Sequence, residues 1–179
     1  SSDVCSSDLN GNFSNQTKKI APELTNIGMI TDASFEDIDS DGHLDLIIVG
    51  EYMGINIFKN EGSKFVRIEN KLLDEKGWWN EIHITDLNND GSLEILLSGY
   101  DDMVHVWNPF SEEELEGWPI DMGSNSLTGP ITADLDNDGD LEVIAAIKSG
   151  TVYVLHHDGS PFPGFPANLP GTIESTPAV

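Results

Sequence analysis

The stretch Asp134–Glu142, DLDNDGDLE, decides how this chain folds. Oxygen-bearing side chains stand at its first, third, fifth and ninth positions, and Gly139 is sixth, where a sharp left-handed turn favours a residue without Cβ. An apolar run, LEVIAAIK (Leu141–Lys148), follows. The arrangement occurs twice more, as DLNNDGSLE at Asp86–Glu94 and DIDSDGHLD at Asp37–Asp45, so the loops begin 49 and then 48 residues apart. GWP (Gly117–Pro119) recurs as GFP (Gly164–Pro166), and TGPIT (Thr128–Thr132) as STPAV (Ser175–Val179), each 47 residues on. Three independent markers at one spacing make a repeat, and its length restricts the architecture.

Each unit reads as short strands separated by turns. In the third, PITAD leads into the acidic loop, LEVIAAIK follows, Ser149-Gly150 turns, TVYVLHH (Thr151–His157) alternates, and Asp158-Gly159 opens a Pro/Gly-rich outer segment. The second gives LEILLSG, MVHVWN and GWPID; the first gives LDLIIVG, GINIFKN and KFVRIE. Branched and aromatic residues dominate these runs, and Gly, Asn or Asp bounds them. Four short antiparallel strands per unit predict an all-β fold of propeller blades, with inner strands apolar because neighbouring blades cover both faces. The expected blades are residues 26–75, 76–122 and 123–170, with acidic loops at 37–45, 86–94 and 134–142. Residues 10–25 are expected to form the outer strand of a preceding blade, and 171–179 the start of the next. KLLDEKGWW (Lys71–Trp79) reads as one helical turn or a longer inter-blade loop, with Trp78 and Trp79 just before the first strand of the second blade. Glu112–Glu116 reads as a solvated loop.

The 179 residues include 32 Asp and Glu against 8 Lys and Arg, for a net charge of −24. With 38% hydrophobic residues, 17 Gly and 9 Pro, this is a folded, turn-rich chain and not a disordered acidic tail. The charge excludes nucleic acid and anionic membrane surfaces as partners. No apolar run approaches the roughly 20 residues of a spanning helix, so no membrane insertion is expected within the chain. The single cysteine, Cys5, lies in SSDVCSSDL (Ser1–Leu9), which resembles the translation of a sequencing-library adapter. Residues 1–9 are therefore read as an assembly artefact, the remainder has no cysteine, and any signal peptide would be lost from view.

Carboxylates at alternate positions curl around one hard cation, and the seventh residue offers a backbone carbonyl. The candidate ligands are Asp37, Asp39, Asp41, the His43 carbonyl and Asp45 in the first loop; Asp86, Asn88, Asp90, the Ser92 carbonyl and Glu94 in the second; and Asp134, Asp136, Asp138, the Asp140 carbonyl and Glu142 in the third. All-oxygen donors point to Ca²⁺ at about three sites, whereas zinc or copper would want His or Cys. Without a cation, three or four carboxylates on nine residues repel one another by about several kcal/mol. An EF-hand loop also begins D-x-D-x-D-G but needs Glu at its twelfth position and flanking helices. That position holds Ile48, Leu97 and Ala145, each on a strand-like run, so the EF-hand reading fails. No catalytic constellation emerges. His156 and His157 are neighbours pointing to opposite faces of a strand and read as surface or packing residues; His83 and His105 read as satisfied strand histidines. One of Trp78 and Trp79 reads as core, the other as a flat face that a sugar could meet.

The pattern D-x-[DN]-x-D-G-x-x-[DE] before an apolar run, at this period, resembles the FG-GAP/VCBS repeat of the integrin-alpha N-terminal propeller superfamily, bacterial secreted members included. The likeness covers nearly all of Asn10–Val179. It implies a six- to eight-bladed ring, with seven blades expected and calcium in the first hairpin of several. Seven blades at this spacing need roughly 340 residues, so the chain is expected to be an internal fragment, a partial β-propeller in the form of an open arc. The implied function is a non-catalytic, calcium-stabilised module for protein or carbohydrate adhesion. Its expected location is extracellular, at the cell surface or periplasmic, and its partner an extracellular protein or glycan. The alternative is the propeller portion of a secreted polysaccharide-degrading enzyme of the rhamnogalacturonan-lyase kind.

Overall fold

A computed structural model describes residues 5–7, 11–70, 74, 76–111 and 113–177. At the N-terminal end β1 (Cys5–Ser7) pairs with β2 (Phe13–Asn15), followed by helix α1 (Thr17–Ile20) and a 3₁₀ turn at Pro22–Leu24. Three antiparallel meanders succeed one another. The first holds β3 (Met29–Glu36), β4 (Asp45–Met53), β5 (Asn56–Asn60) and β6 (Phe65–Arg67). The second holds β7 (Gly77–Thr85), β8 (Glu94–Gly99), β9 (Met103–Trp107) and β10 (Ile120–Asp121). The third holds β11 (Ile131–Ala133), β12 (Glu142–Ala146), β13 (Thr151–Leu155) and β14 (Ala167–Asn168). Each is a four-stranded blade, and the chain is an all-β partial propeller.

The second strand of each blade is its most buried. Leu46 to Gly50 of β4, all of β8 and all of β12 are buried on both faces. Two-residue alternation divides these side chains between neighbours. Ile47, Val49 and Ile57 pack with Ile95, Leu97, Trp79 and Trp107 of the second blade. Leu96, Val104 and Val106, pointing the other way, meet Val143, Ala145 and Leu155 of the third. Trp118 and Met122 complete that second core. Past its hairpin with β5, β4 continues along β7, pairing Glu51 with Trp78 and Met53 with Gly77, so the first two blades share one sheet.

The remaining face of β4, formed by Leu46 and Ile48 with Phe58, is covered by Ala21 and Leu24. The segment 10–25, expected as an outer strand, thus keeps a strand only at Phe13–Asn15, and that strand pairs with Cys5–Ser7 of the adapter-like stretch. Pro22 fixes a helix-compatible backbone at the start of the 3₁₀ turn, and the turn lays its two apolar side chains on the blade. Most of Lys71–Lys76 lies outside the described residues. Trp78 and Trp79 lie inside β7 rather than before it, because pairing with β4 starts the strand at Gly77. Among the described residues, no helix is long and apolar enough to cross a membrane.

Leu96→Ala should remove about 2–5 kcal/mol of folding stability, because the side chain is fully buried between two blades. Guanidinium denaturation monitored by tryptophan fluorescence would measure this; a loss below about 1 kcal/mol would contradict the inter-blade packing described here.

Candidate metal centre

Each acidic loop joins the first strand of a blade to the second, and the three share one backbone course. The sixth residue is a left-handed glycine, with φ 87° at Gly42, 91° at Gly91 and 102° at Gly139. The fourth is left-handed too, at Ser40, Asn89 and Asn137, a conformation Asn tolerates better than most residues. Asp37 accepts hydrogen bonds from the Asp41 and Gly42 amides, and Asp86 from those of Asp90 and Gly91. Asp134 accepts one from Asn137. The fifth carboxylate accepts from the seventh amide: His43 to Asp41 at 2.9 Å, Ser92 to Asp90 at 2.8 Å, Asp140 to Asp138 at 3.0 Å. These bonds hold Asp41 and Asp90 below the usual carboxylate range.

Among the candidate ligands, the ninth residue differs from the rest in being buried. Asp45, Glu94 and Glu142 are 0%, 0% and 1% exposed. Each accepts a hydrogen bond from the second residue of its own loop, Ile38, Leu87 and Leu135 respectively, and so clamps the turn from beneath. Asp45 Oδ1 is also satisfied, by the Asn60 amide at 2.7 Å. Glu94 Oε1 is not: it is buried without a hydrogen-bond partner. Burial first, and then the charges of Asp90 and Asp86, push this carboxyl up to about 7. A buried oxygen without a donor, next to two carboxylates, is the environment a divalent cation satisfies.

The structure brings the predicted ligands together unequally. Donor atoms of Asp37, Asp39 and Asp41 lie within 4.8 Å of one another, as do those of Asp134, Asp136 and Asp138. In the second loop Asn88 donates instead to Asp90, at 3.3 Å. Three side chains outside the predicted ligand sets also reach these loops. Lys59 forms ion pairs with Asp39 and Asp41, and the Asp39 contact foremost raises its affinity for a proton. His156 Nδ1 is 3.2 Å from Glu142 Oε1, while His157 Nδ1 is 3.2 Å from Asp140. The adjacent histidines do diverge onto different acceptors, but both belong to the third loop and are more than packing residues.

Elsewhere, His83 meets Thr132 across the blade boundary. Trp79 is buried and donates to the Met53 carbonyl, whereas Trp78 is half-exposed between Tyr52 and Tyr100, with ring centroids 5.1 and 4.7 Å away. Tyr52, 68% exposed, is held at a left-handed φ of 56°. His105 stacks on Trp107 and lies between Asp101 at 2.8 Å and Glu114 at 2.9 Å. Burial lowers its basicity, but the two carboxylates outweigh this and raise it to about 9.

His105 sets a pH dependence. Below its ordinary value of 6.5 the imidazolium is charged in folded and unfolded chains alike, and its ion pairs contribute in full. As pH rises through about 9 the folded chain loses the proton and that contribution disappears. His105→Gln should therefore cost clearly more stability at pH 6 than at pH 9.5 in denaturant titrations; an equal cost at both would contradict the charged assignment.

The model of the FG-GAP-like repeat family matches residues 37–97. No curated protein matches the chain. Among solved structures, a crystal structure of BBS1N in complex with ARL6DN, soaked with lead, is similar at a TM-score of 0.48 and 19% identity, covering 79% of this chain. The chain spans 41% of the length of that protein. From the first acidic loop through the central residues of β8, the chain is similar to FG-GAP-like repeat sequence.

Proposed function

We propose that the chain is part of a calcium-stabilised β-propeller that presents a surface to an extracellular protein or glycan, with the cation structural and not catalytic. The observation that carries this reading is Glu94 Oε1, buried and without a donor at the base of an acidic loop. Ca²⁺ accepts six to eight oxygens at about 2.3–2.6 Å. The second loop offers Asp86, Asn88, Asp90, the Ser92 carbonyl and Glu94 for that role, once the Asn88 amide turns its oxygen inward. A cation there would link the exposed rim of the loop to the buried start of β8, whose side chains fill two inter-blade cores.

Location follows from affinity. Loops of extracellular type bind calcium at about 10⁻⁴ to 10⁻³ M, a concentration found outside cells. The partner surface that best fits an adhesive role is the row Tyr52–Trp78–Tyr100, where aromatic faces lie side by side over the junction of the first two blades. Rings of this kind give large contact areas at low entropic cost.

Calcium should raise the melting temperature and EDTA should reverse the rise. At tenfold excess over Kd one occupied site adds about 1.4 kcal/mol, or about 3–6 °C for a chain of this size. Glu94→Gln should remove most of the response. Identical melting in calcium and in EDTA would contradict the reading.

A further inference from the structure

The three acidic loops share a backbone course but face different side chains, and strand register explains why. In every blade the third strand pairs with the second one residue beyond the ninth-position carboxylate: Phe58 with Leu46, Trp107 with Ile95, Leu155 with Val143. The next residue along the third strand therefore stands opposite that carboxylate. It is Lys59 in the first blade, Asn108 in the second and His156 in the third.

These three residues behave differently. Lys59 extends over the first loop and pairs with Asp39 and Asp41. Asn108 turns away, its side-chain oxygen accepting the Phe110 amide at 3.0 Å, and leaves Glu94 Oε1 without a partner. His156 places Nδ1 beside Glu142, and a His156 ring nitrogen, a Glu142 oxygen and an Asp136 oxygen all lie within 4.8 Å of one another.

Resting on the metal-binding reading above, we propose that the residue facing the ninth-position carboxylate selects the ion of each loop: the tethered ammonium of Lys59 in the first, a free hard divalent cation in the second, and a borderline divalent ion such as Zn²⁺, ligated by Asp136, Glu142 and His156, in the third. The chemistry follows from donor type. An ammonium beside two carboxylates supplies positive charge where a free ion would sit and repels a second cation. An imidazole nitrogen is a poor donor to Ca²⁺ but a preferred one for Zn²⁺, and two carboxylate oxygens with one nitrogen leave a fourth zinc position open to water. The register makes the rule local, so exchanging one side chain should convert one loop and spare the others.

The test is cation stoichiometry on the full chain, by equilibrium dialysis with ⁴⁵Ca²⁺ and by titration with Zn²⁺ alone. The unmodified chain should bind one Ca²⁺ and, without displacing it, one Zn²⁺. Lys59→Gln should bind a second Ca²⁺. His156→Gln should weaken Zn²⁺ binding by more than about tenfold while keeping the second-loop Ca²⁺. Three equivalent Ca²⁺ ions on the unmodified chain, or an unchanged Ca²⁺ count in Lys59→Gln, would overturn the selection rule and leave the metal-binding reading standing. No divalent binding to any form would overturn both. The unmodified chain carries the stoichiometry by itself, so the result does not depend on either variant folding.

Discussion

In each blade the carboxylate that closes the acidic loop is also the first residue of the most buried strand. Asp45 opens β4, Glu94 opens β8 and Glu142 opens β12. From beneath the turn each holds the amide of the loop's second residue. In two loops that second residue plugs a core: Ile38 packs between the first and second blades, and Leu87 between the second and third. The Leu87 carbonyl in turn receives the Leu141 amide of the following blade at 2.9 Å. One buried carboxylate thus ties loop shape, strand start and blade-to-blade contact together. In the third loop the corresponding Leu135 is 40% exposed.

The arrangement concentrates negative charge. Backbone amides satisfy part of it, since the first, fifth and ninth carboxylates all cap amides inside their own loop. The remainder is met by whatever faces the loop from the neighbouring strand. Lys59 supplies a full charge and His156 a ring nitrogen, whereas Asn108 supplies nothing to Glu94; among the described loop residues Glu94 Oε1 in the second loop and Asp39 Oδ1 in the first are buried without a hydrogen-bond partner. The surrounding blade is too well packed for Glu94 to turn outward to water: it is fully buried, and Ile95, Leu96 and Leu97 beside it are as well.

Much of this was legible in the residues themselves. The period of the loops, the glycine at each sixth position and the apolar runs after them point to blades, and the structure forms those blades with the acidic loops between first and second strands. Less legible was anything depending on register. That Lys59 and His156 belong to the acidic loops follows only once Phe58 is paired with Leu46 and Leu155 with Val143; in the linear sequence they look like polar ends of alternating strands. The left-handed fourth position was available in principle from Asn89 and Asn137, although Ser40 hides it in the first loop. The N-terminal segment misled because NFSN has strand character while the residues after it fold into short turns whose Ala21 and Leu24 cover a blade face. Trp79 is buried and Trp78 half-exposed, a division the residues leave unassigned, and their place inside β7 depends on the sheet joining two blades.

The most direct measurement is the anomalous difference density of a crystal grown in millimolar calcium, collected at long wavelength. A peak in the second loop, about 2.3–2.6 Å from Glu94 Oε1 and from oxygens of Asp86 and Asp90, is the result this account requires. A loop that holds only water there, with Glu94 still without a cation, would contradict it.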